Sequence, residues 1–255
     1  MSFKDDLLDL KGYSVQKDIE KAYEWKIQEV IDKKTEIQYL AIISMEQTIY
    51  SPAIQLVDYS QMINNLSKLN HPAILKFIGY SPINFKGKDK LTYITEFCNY
   101  TLTFPHSSIN RLILIYGIAS AMSYLHANNI LHRNLNLQNI HFDEKFYPKL
   151  FGFNFSIDIS SKTTFSMLKG DEENQAPEVL TKLEYSKSSD VYSFGLILYE
   201  IFMNEKPSIN SEDIISGSRP NFTKPIPECY KQLIEKCWSQ DPSERPTFDE
   251  IVFQL

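Results

Sequence analysis

The first half of the chain alternates. In EWKIQEVI (24–31) apolar side chains recur at nearly every second position, the period of a strand with one buried face. IQYLAIISM (37–45) and KLTYITEF (90–97) read the same way. The DKKT stretch between the first two predicts a hairpin turn. IQLVDYSQMINNLSKLN (54–70) lies between the second and third strands and has a different period. Its residues Leu56, Val57, Met62, Ile63, Leu66 and Leu69 recur near helical spacing. His71-Pro72 closes that helix, because proline disfavours helix in the residue before it.

The second half has the helical period. RLILIYGIASAMSYLHAN (111–128) is apolar on most faces and predicts a buried helix with Asn110 as its N-cap. VYSFGLILYEIFM (191–203) predicts another, capped by Asp190. IPECYKQLIEKCW (226–238) is amphipathic, and RPTFDEIVFQL (245–255) starts a last helix. The longest apolar stretches, near 112–122 and 191–203, are too short to cross a bilayer. The change from strand to helix falls near Cys98-Asn99-Tyr100. The expected architecture is α+β: a β-rich first lobe with one main helix, a short hinge at about 98–100, and a mostly helical second lobe.

Composition narrows the function. A chain of 255 residues, 43% hydrophobic and 23% charged, can bury a core without staples. Its net charge of −6 and the absence of a long basic run exclude a general nucleic-acid or membrane-surface binder. KGKDK (86–90) reads as a solvated loop. The three cysteines, Cys98, Cys229 and Cys237, form no C-x-x-C pair, so neither a disulfide framework nor a zinc site is expected. His71, His106 and His126 lack metal-ligand spacing, and no metal site is expected from them. MSFKDDLLDLKG lacks the basic-then-apolar order of a signal peptide, so a cytoplasmic location is expected.

Several stretches then point one way. HRNLNLQN (132–139) resembles the H-R-D-L-x-x-x-N loop of protein kinases. Ala176-Pro177-Glu178 follows where an activation segment ends, and SDVYSFGLILYEI (189–201) resembles the helix after it. KCWSQDPSERPTF (236–248) resembles the ending shared by tyrosine kinases and the tyrosine-kinase-like group. LNHPAILKFIGY (69–80) and TYITEFC (92–98) resemble the join after the regulatory helix and the strand into the hinge. The chain is thus similar over residues 13–255 to a protein kinase domain, with 1–12 as an N-terminal extension. The resemblance implies the bilobal kinase fold, with an N-lobe at about 13–97, the hinge at about 98–100 and a C-lobe at about 101–255.

The same resemblance locates the working parts, and several are changed. The glycine positions of the phosphate loop fall on Glu20, Ala22 and Trp25, and no glycine lies between Gly12 and Gly79. Trp25 either plugs that space or is an ordinary strand tryptophan. The strand lysine is replaced by Ile43, or by Ile42 with a register shift of one, and its glutamate partner by Met62. The catalytic base is replaced by Asn134, whose amide cannot take a proton near neutral pH. The metal-binding aspartate is replaced by Gly152, before Phe153-Asn154. Asn139 is retained, but Mg²⁺ prefers carboxylate, phosphate and water oxygens. Asp143, in an expected turn, and Asp158, beyond the site, are not substitutes.

Further positions are implied. Ala41, Thr95, Asn139 and His141 match the nucleotide pocket, with Thr95 as gatekeeper and His141 beneath the adenine position. Leu66, Phe77, His132 and Phe153 match a regulatory spine. Asp190 matches the anchor of the catalytic loop, and Glu178 with Arg245 the tie to the activation segment. TLTFPHSSIN (101–110) suggests a shortened helix after the hinge. Ser160, Ser161, Thr163 and Thr164 are candidate phosphorylation sites, with Arg133 as a phosphate partner. Asp171 and the neighbouring acids disfavour an ordinary acceptor peptide.

The expectation is a pseudokinase: a signalling scaffold or allosteric module with a protein partner such as an active kinase, and with neither ATP nor Mg²⁺ counted as a cofactor. The alternatives are a weakly active or atypical ATP-dependent protein kinase, and a nucleotide sensor without catalysis. The oligomeric state is left open.

Overall fold

Strand order places five antiparallel strands as β1-β2-β3-β5-β4. They are β1 (Tyr13–Lys21), β2 (Trp25–Asp32), β3 (Gln38–Ser44), β4 (Phe77–Ile83) and β5 (Asp89–Glu96). Helix α1 (Pro52–Leu66) lies between β3 and β4 in the chain. The computed structural model describes residues 6–21, 25–45, 52–98, 108–160 and 172–255, without the side chains of 21, 52–58, 108 and 109.

The β2–β3 turn forms at DKKT because Asp32 Oδ1 accepts the N–H groups of Lys34 and Thr35, at 2.8 and 2.9 Å. Glu36 completes it in the left-handed region, at φ 58°. In the antiparallel register Leu40 stands opposite Thr95, and Ile42 opposite both Tyr93 and Ile27. Directly opposed residues share a face, so Ile27, Leu40, Ile42, Tyr93 and Thr95 line one side of the sheet. Trp25, two residues before Ile27, shares it and meets Tyr59 of α1 there. Val30, Ala41 and Ile94 line the other side, where Leu10 covers them.

The helical part contains α2 (Ser108–Ala127), α3 (Pro177–Lys182), α4 (Lys187–Met203), α5 (Ser211–Ser216), α6 (Glu228–Cys237) and α7 (Phe248–Gln254). Short strands β6 (Ile130–Leu131) and β9 (Ile157–Asp158) pair, as do β7 (Ile140–Phe142) and β8 (Pro148–Leu150). Helix α4 is the buried centre of this part, with Tyr192, Phe194 and Leu198 sealed from solvent. It packs against α6, and α2 packs against α7. Trp238 is buried in this core, as its sequence context suggests.

Two expected caps are placed differently. Helix α4 begins three residues before Asp190, capped by Ser186 in a reciprocal box with Ser189. Asp190 sits in the first turn, and its carboxylate serves another segment. Asn110 lies inside α2, which starts at Ser108. The last helix is capped by Thr247 with Glu250.

The chain divides into two compact units, Met1–Thr101 with His141–Lys149, and Leu102–Ile140 with Leu150–Leu255. Residues His141–Lys149 thus group with the first unit although they follow residue 102 in the chain. Lys149 Nζ lies 2.9 Å from Glu96 Oε1, an ion pair between residues far apart in sequence. The segments 99–107, including His106, and 161–171, including Ser161, Thr163, Thr164, Ser166 and Asp171, lie outside the described residues.

Candidate active site

Each unit carries part of the residue set that the sequence singled out. In the first unit the sheet register decides which side chains stand on the Thr95 side. They are Leu40 and Ile42; Ala41 and Ile43 point to the opposite face. Of the two alternatives left open for the strand-lysine position, Ile42 shares the Thr95 face and Ile43 shares the face of Ala41, because side chains alternate along a strand and a slip of one residue exchanges the faces. Ile42, on the Thr95 side, is fully buried.

Met62 and Leu66 of α1 are buried, and Phe77 is half-buried. Trp25 is half-buried, with ring centroids 5.7 Å from Tyr59 and 5.6 Å from Tyr93, both edge-on. Trp25, Tyr59 and Tyr93 thus pack together on the face of the sheet toward α1. Burial drives the Tyr93 hydroxyl far above its ordinary pKa, so it stays un-ionised. His141 is buried, and burial pushes its pKa down to about 4. Asp143 accepts the N–H groups of Lys145 and Tyr147 in the β7–β8 turn, as expected of a turn residue.

In the second unit Asp190 organises the 132–139 loop. Its Oδ2 accepts the backbone N–H of His132, at 2.9 Å, and lies 3.0 Å from His126 Nε2. Its Oδ1 accepts the N–H of Arg133, at 2.9 Å. Burial raises the pKa of this carboxyl, but hydrogen bonds from His126 and Arg133 outweigh it and hold the group below the usual carboxylate range. The strained turn at Arg133, with φ 64°, is fastened by these contacts.

The His132 ring packs edge-on against Phe153, with centroids 4.9 Å apart. Its Nδ1 accepts from Asn134 N–H at 3.3 Å, so Nε2–H donates to the Phe151 carbonyl at 2.9 Å. That pattern requires a neutral ring, and burial lowers the pKa accordingly.

Three asparagines then tie the loop together. Asn136 Nδ2 donates to Asn134 Oδ1, at 3.2 Å, and Asn136 Oδ1 accepts from Asn139 N–H, at 3.0 Å. Asn139 Nδ2 donates to the Asn134 carbonyl, at 2.8 Å. Gly152 stands against this cluster with φ 81°. A Cβ there would lie 2.3 Å from Asn139 Cγ. The site offers amide and carbonyl oxygens and no carboxylate, and among the described residues no cluster of three His, Cys, Asp or Glu could hold a metal ion. A hard cation bridging phosphates does not fit this donor set.

The remaining singled-out residues are placed as follows. Arg245 donates to Glu178 through both terminal nitrogens, at 2.7 and 2.9 Å. The Arg133 guanidinium lies 4.0 Å above the Tyr185 ring. Ser160 is exposed and donates its N–H to Asp158 Oδ1. Asn136, Tyr59, Tyr185 and His126 carry contacts that no motif assigned to them. Only the spacing of Asn136 between Asn134 and Asn139 hinted at one.

The family described as protein tyrosine and serine/threonine kinase matches residues 23–255. The chain belongs to that kinase family. The RGS domain-containing serine/threonine-protein kinase A of Dictyostelium discoideum is 30% identical over 214 residues, which is 78% of this chain and 19% of that protein. The serine/threonine-protein kinase STY17 of Arabidopsis thaliana is 28% identical over 218 residues, 80% of this chain and 38% of that protein. The dual specificity protein kinase pyk3 of Dictyostelium discoideum is 30% identical over 208 residues, 76% of this chain and 15% of that protein. The kinase domain thus spans well under two thirds of each relative's length. Among the described residues no helix is long and apolar enough to cross a membrane.

Proposed function

We propose that this kinase domain is a pseudokinase of the tyrosine-kinase-like group, a cytoplasmic scaffold or allosteric module that acts by binding a protein partner. The observation that carries the reading is the Gly152–Asn139 contact: the position matched to the metal-binding carboxylate has no side chain, and the Asn139 side chain, held by its Nδ2–H donation to the Asn134 carbonyl, fills the space where one would begin. Ile42 on the Thr95 face and Met62 in α1 support it, since neither can neutralise phosphate charge. Asn134 cannot act as a general base.

The names of the relatives favour a second reading, an ATP-dependent serine/threonine kinase that works through substituted groups. Thermal melts with ATP and ADP, each with and without Mg²⁺ or Mn²⁺, followed by a phosphate-transfer assay, separate the two. The pseudokinase reading expects neither a metal-dependent shift nor transfer. Nucleotide at about 100 times its dissociation constant would add roughly 2.7 kcal/mol. Transfer that is lost in Asn139→Ala would establish the second reading. A shift without transfer would leave a nucleotide sensor.

A further inference from the structure

Strand β4 ends the sheet, and an edge strand presents unpaired N–H and C=O groups. Here the edge is covered by the chain's own N-terminal extension, which precedes the family match. Leu8 N–H donates to the Tyr80 carbonyl at 2.7 Å, Tyr80 N–H donates to the Asp6 carbonyl at 2.8 Å, and Leu7 pairs with Tyr80 as a parallel bridge. The side chains alternate. Leu7 is 54% exposed and Asp9 is exposed, whereas Leu8 and Leu10 turn onto the sheet. Leu10 is buried with Val30, Ala41 and Ile94, and Leu8 packs against the same cluster.

Gly79 makes the approach feasible. A Cβ there would come within 2.6 Å of the Asp6 carbonyl oxygen and 2.7 Å of Leu8 Cγ. Gly79 does not have a positive φ, so its backbone does not require glycine. The missing side chain serves the close passage of residues 6–8.

We propose that the β4 edge, with the Gly79 cleft and the Val30–Ala41–Ile94 surface, is a binding site for an extended peptide segment carrying leucines at alternate positions. The chain fills it with its own residues 6–10. When vacated, the site accepts the same segment supplied from outside by strand addition. Main-chain hydrogen bonds at Tyr80 supply the pairing and the two leucine positions supply selectivity. Lys33 fastens the end of the extension through the Lys11 and Gly12 carbonyls, whereas residues 6–10 lie on the sheet through the bridge at Tyr80 and the Leu8 and Leu10 side chains, so that stretch opens locally while the central strands stay closed.

The test uses the full chain and a fluorescent peptide of residues 1–12. Leu8→Asp with Leu10→Asp empties the site. That variant binds the peptide saturably, and the unaltered chain binds it at least ~tenfold more weakly because its site is filled in cis. Adding Gly79→Ala abolishes binding. A folded double variant that ignores the peptide overturns the proposal, as does binding that is equal in both chains or indifferent to Gly79→Ala. Hydrogen exchange on the unaltered chain decides the matter if the double variant does not fold. Leu8 and Tyr80 amides that open more readily than Ile94 support a vacatable site; opening only together with Ile94 refutes it.

Discussion

The Cγ atom of Asn139 occupies space 2.3 Å from where a side chain on Gly152 would begin. Glycine at 152 and asparagine at 139 therefore form one packed unit. The Asn139 amide is fixed by the Asn134 carbonyl, and Gly152 supplies the left-handed turn beneath it. Gly152→Asp, which would place a carboxylate there, is expected to destabilise the domain by about 2–4 kcal/mol. About 1–2 come from a left-handed residue with a Cβ, and about 1 or more from a displaced hydrogen bond. Urea unfolding measures this loss, and isothermal titration with Mg²⁺ is expected to show no gained site.

His141 makes stability pH-dependent. Its folded pKa of about 4 lies below the ordinary value of 6.5, so the unfolded chain binds the proton more tightly. Its contribution is complete above about pH 6.5 and is lost as pH falls toward 4, amounting to about 2 kcal/mol at pH 5. His71 and His132 shift in the same direction, so the measurement is a difference. The stability of His141→Leu, relative to its own value at pH 7, is expected to fall less at pH 5 than that of the unaltered chain, by about that amount.

The Tyr192 hydroxyl is buried without a hydrogen-bond partner. The guanidinium groups of Arg219 and Arg245 each lie 5.1 Å from its ring centroid. Burial pushes its pKa up to about 12, against the pull of those two charges. Tyr192→Phe keeps the ring and both cation contacts and removes an unsatisfied polar atom. It is expected to stabilise the domain by about 1 kcal/mol, read as a higher urea midpoint with an unchanged slope.

Arg245 has a fully buried side chain, and besides Glu178 it donates to the carbonyls of Ser188 and Ser239. Arg245→Ala leaves the Glu178 carboxylate unpaired and is expected to destabilise by about 3–5 kcal/mol. Arg245→Lys is expected to recover less than half of that, because an ammonium cannot reproduce the paired geometry. A double-mutant cycle with Glu178→Gln measures the coupling.

Trp25 holds the start of β2 against Tyr59 and Tyr93. Trp25→Ala is expected to destabilise by about 2–3 kcal/mol, less than a fully buried tryptophan would. The chain has two tryptophans, so the fluorescence change reports on Trp25 against a constant Trp238 signal.

Much of this molecule was legible in one dimension. Alternation marked β2, β3 and β5, helical periodicity marked α1, α2, α4, α6 and α7, and ordered motifs marked the kinase family. These signals are local: each depends on residues within a turn or two of one another. Asn134 and Gly152, which the resemblance sets at carboxylate positions of the family, were equally visible, because residue type is read from the chain itself. Tertiary structure decided the rest. Strand pairing, with its period of two, settled whether Ile42 or Ile43 faces Thr95. The resemblance already placed Asp190 as the anchor of the 132–139 loop; the structure gave the cap of α4 to Ser186 and left the Asp190 carboxylate to the buried N–H groups of His132 and Arg133. The close packing of the Asn139 side chain against Gly152 likewise appeared only in the fold. Leu8 and Leu10 gained a role only when the open edge of β4 came within reach. Contacts between residues distant in sequence leave no period to read, and their partners are set by the packing of the whole chain.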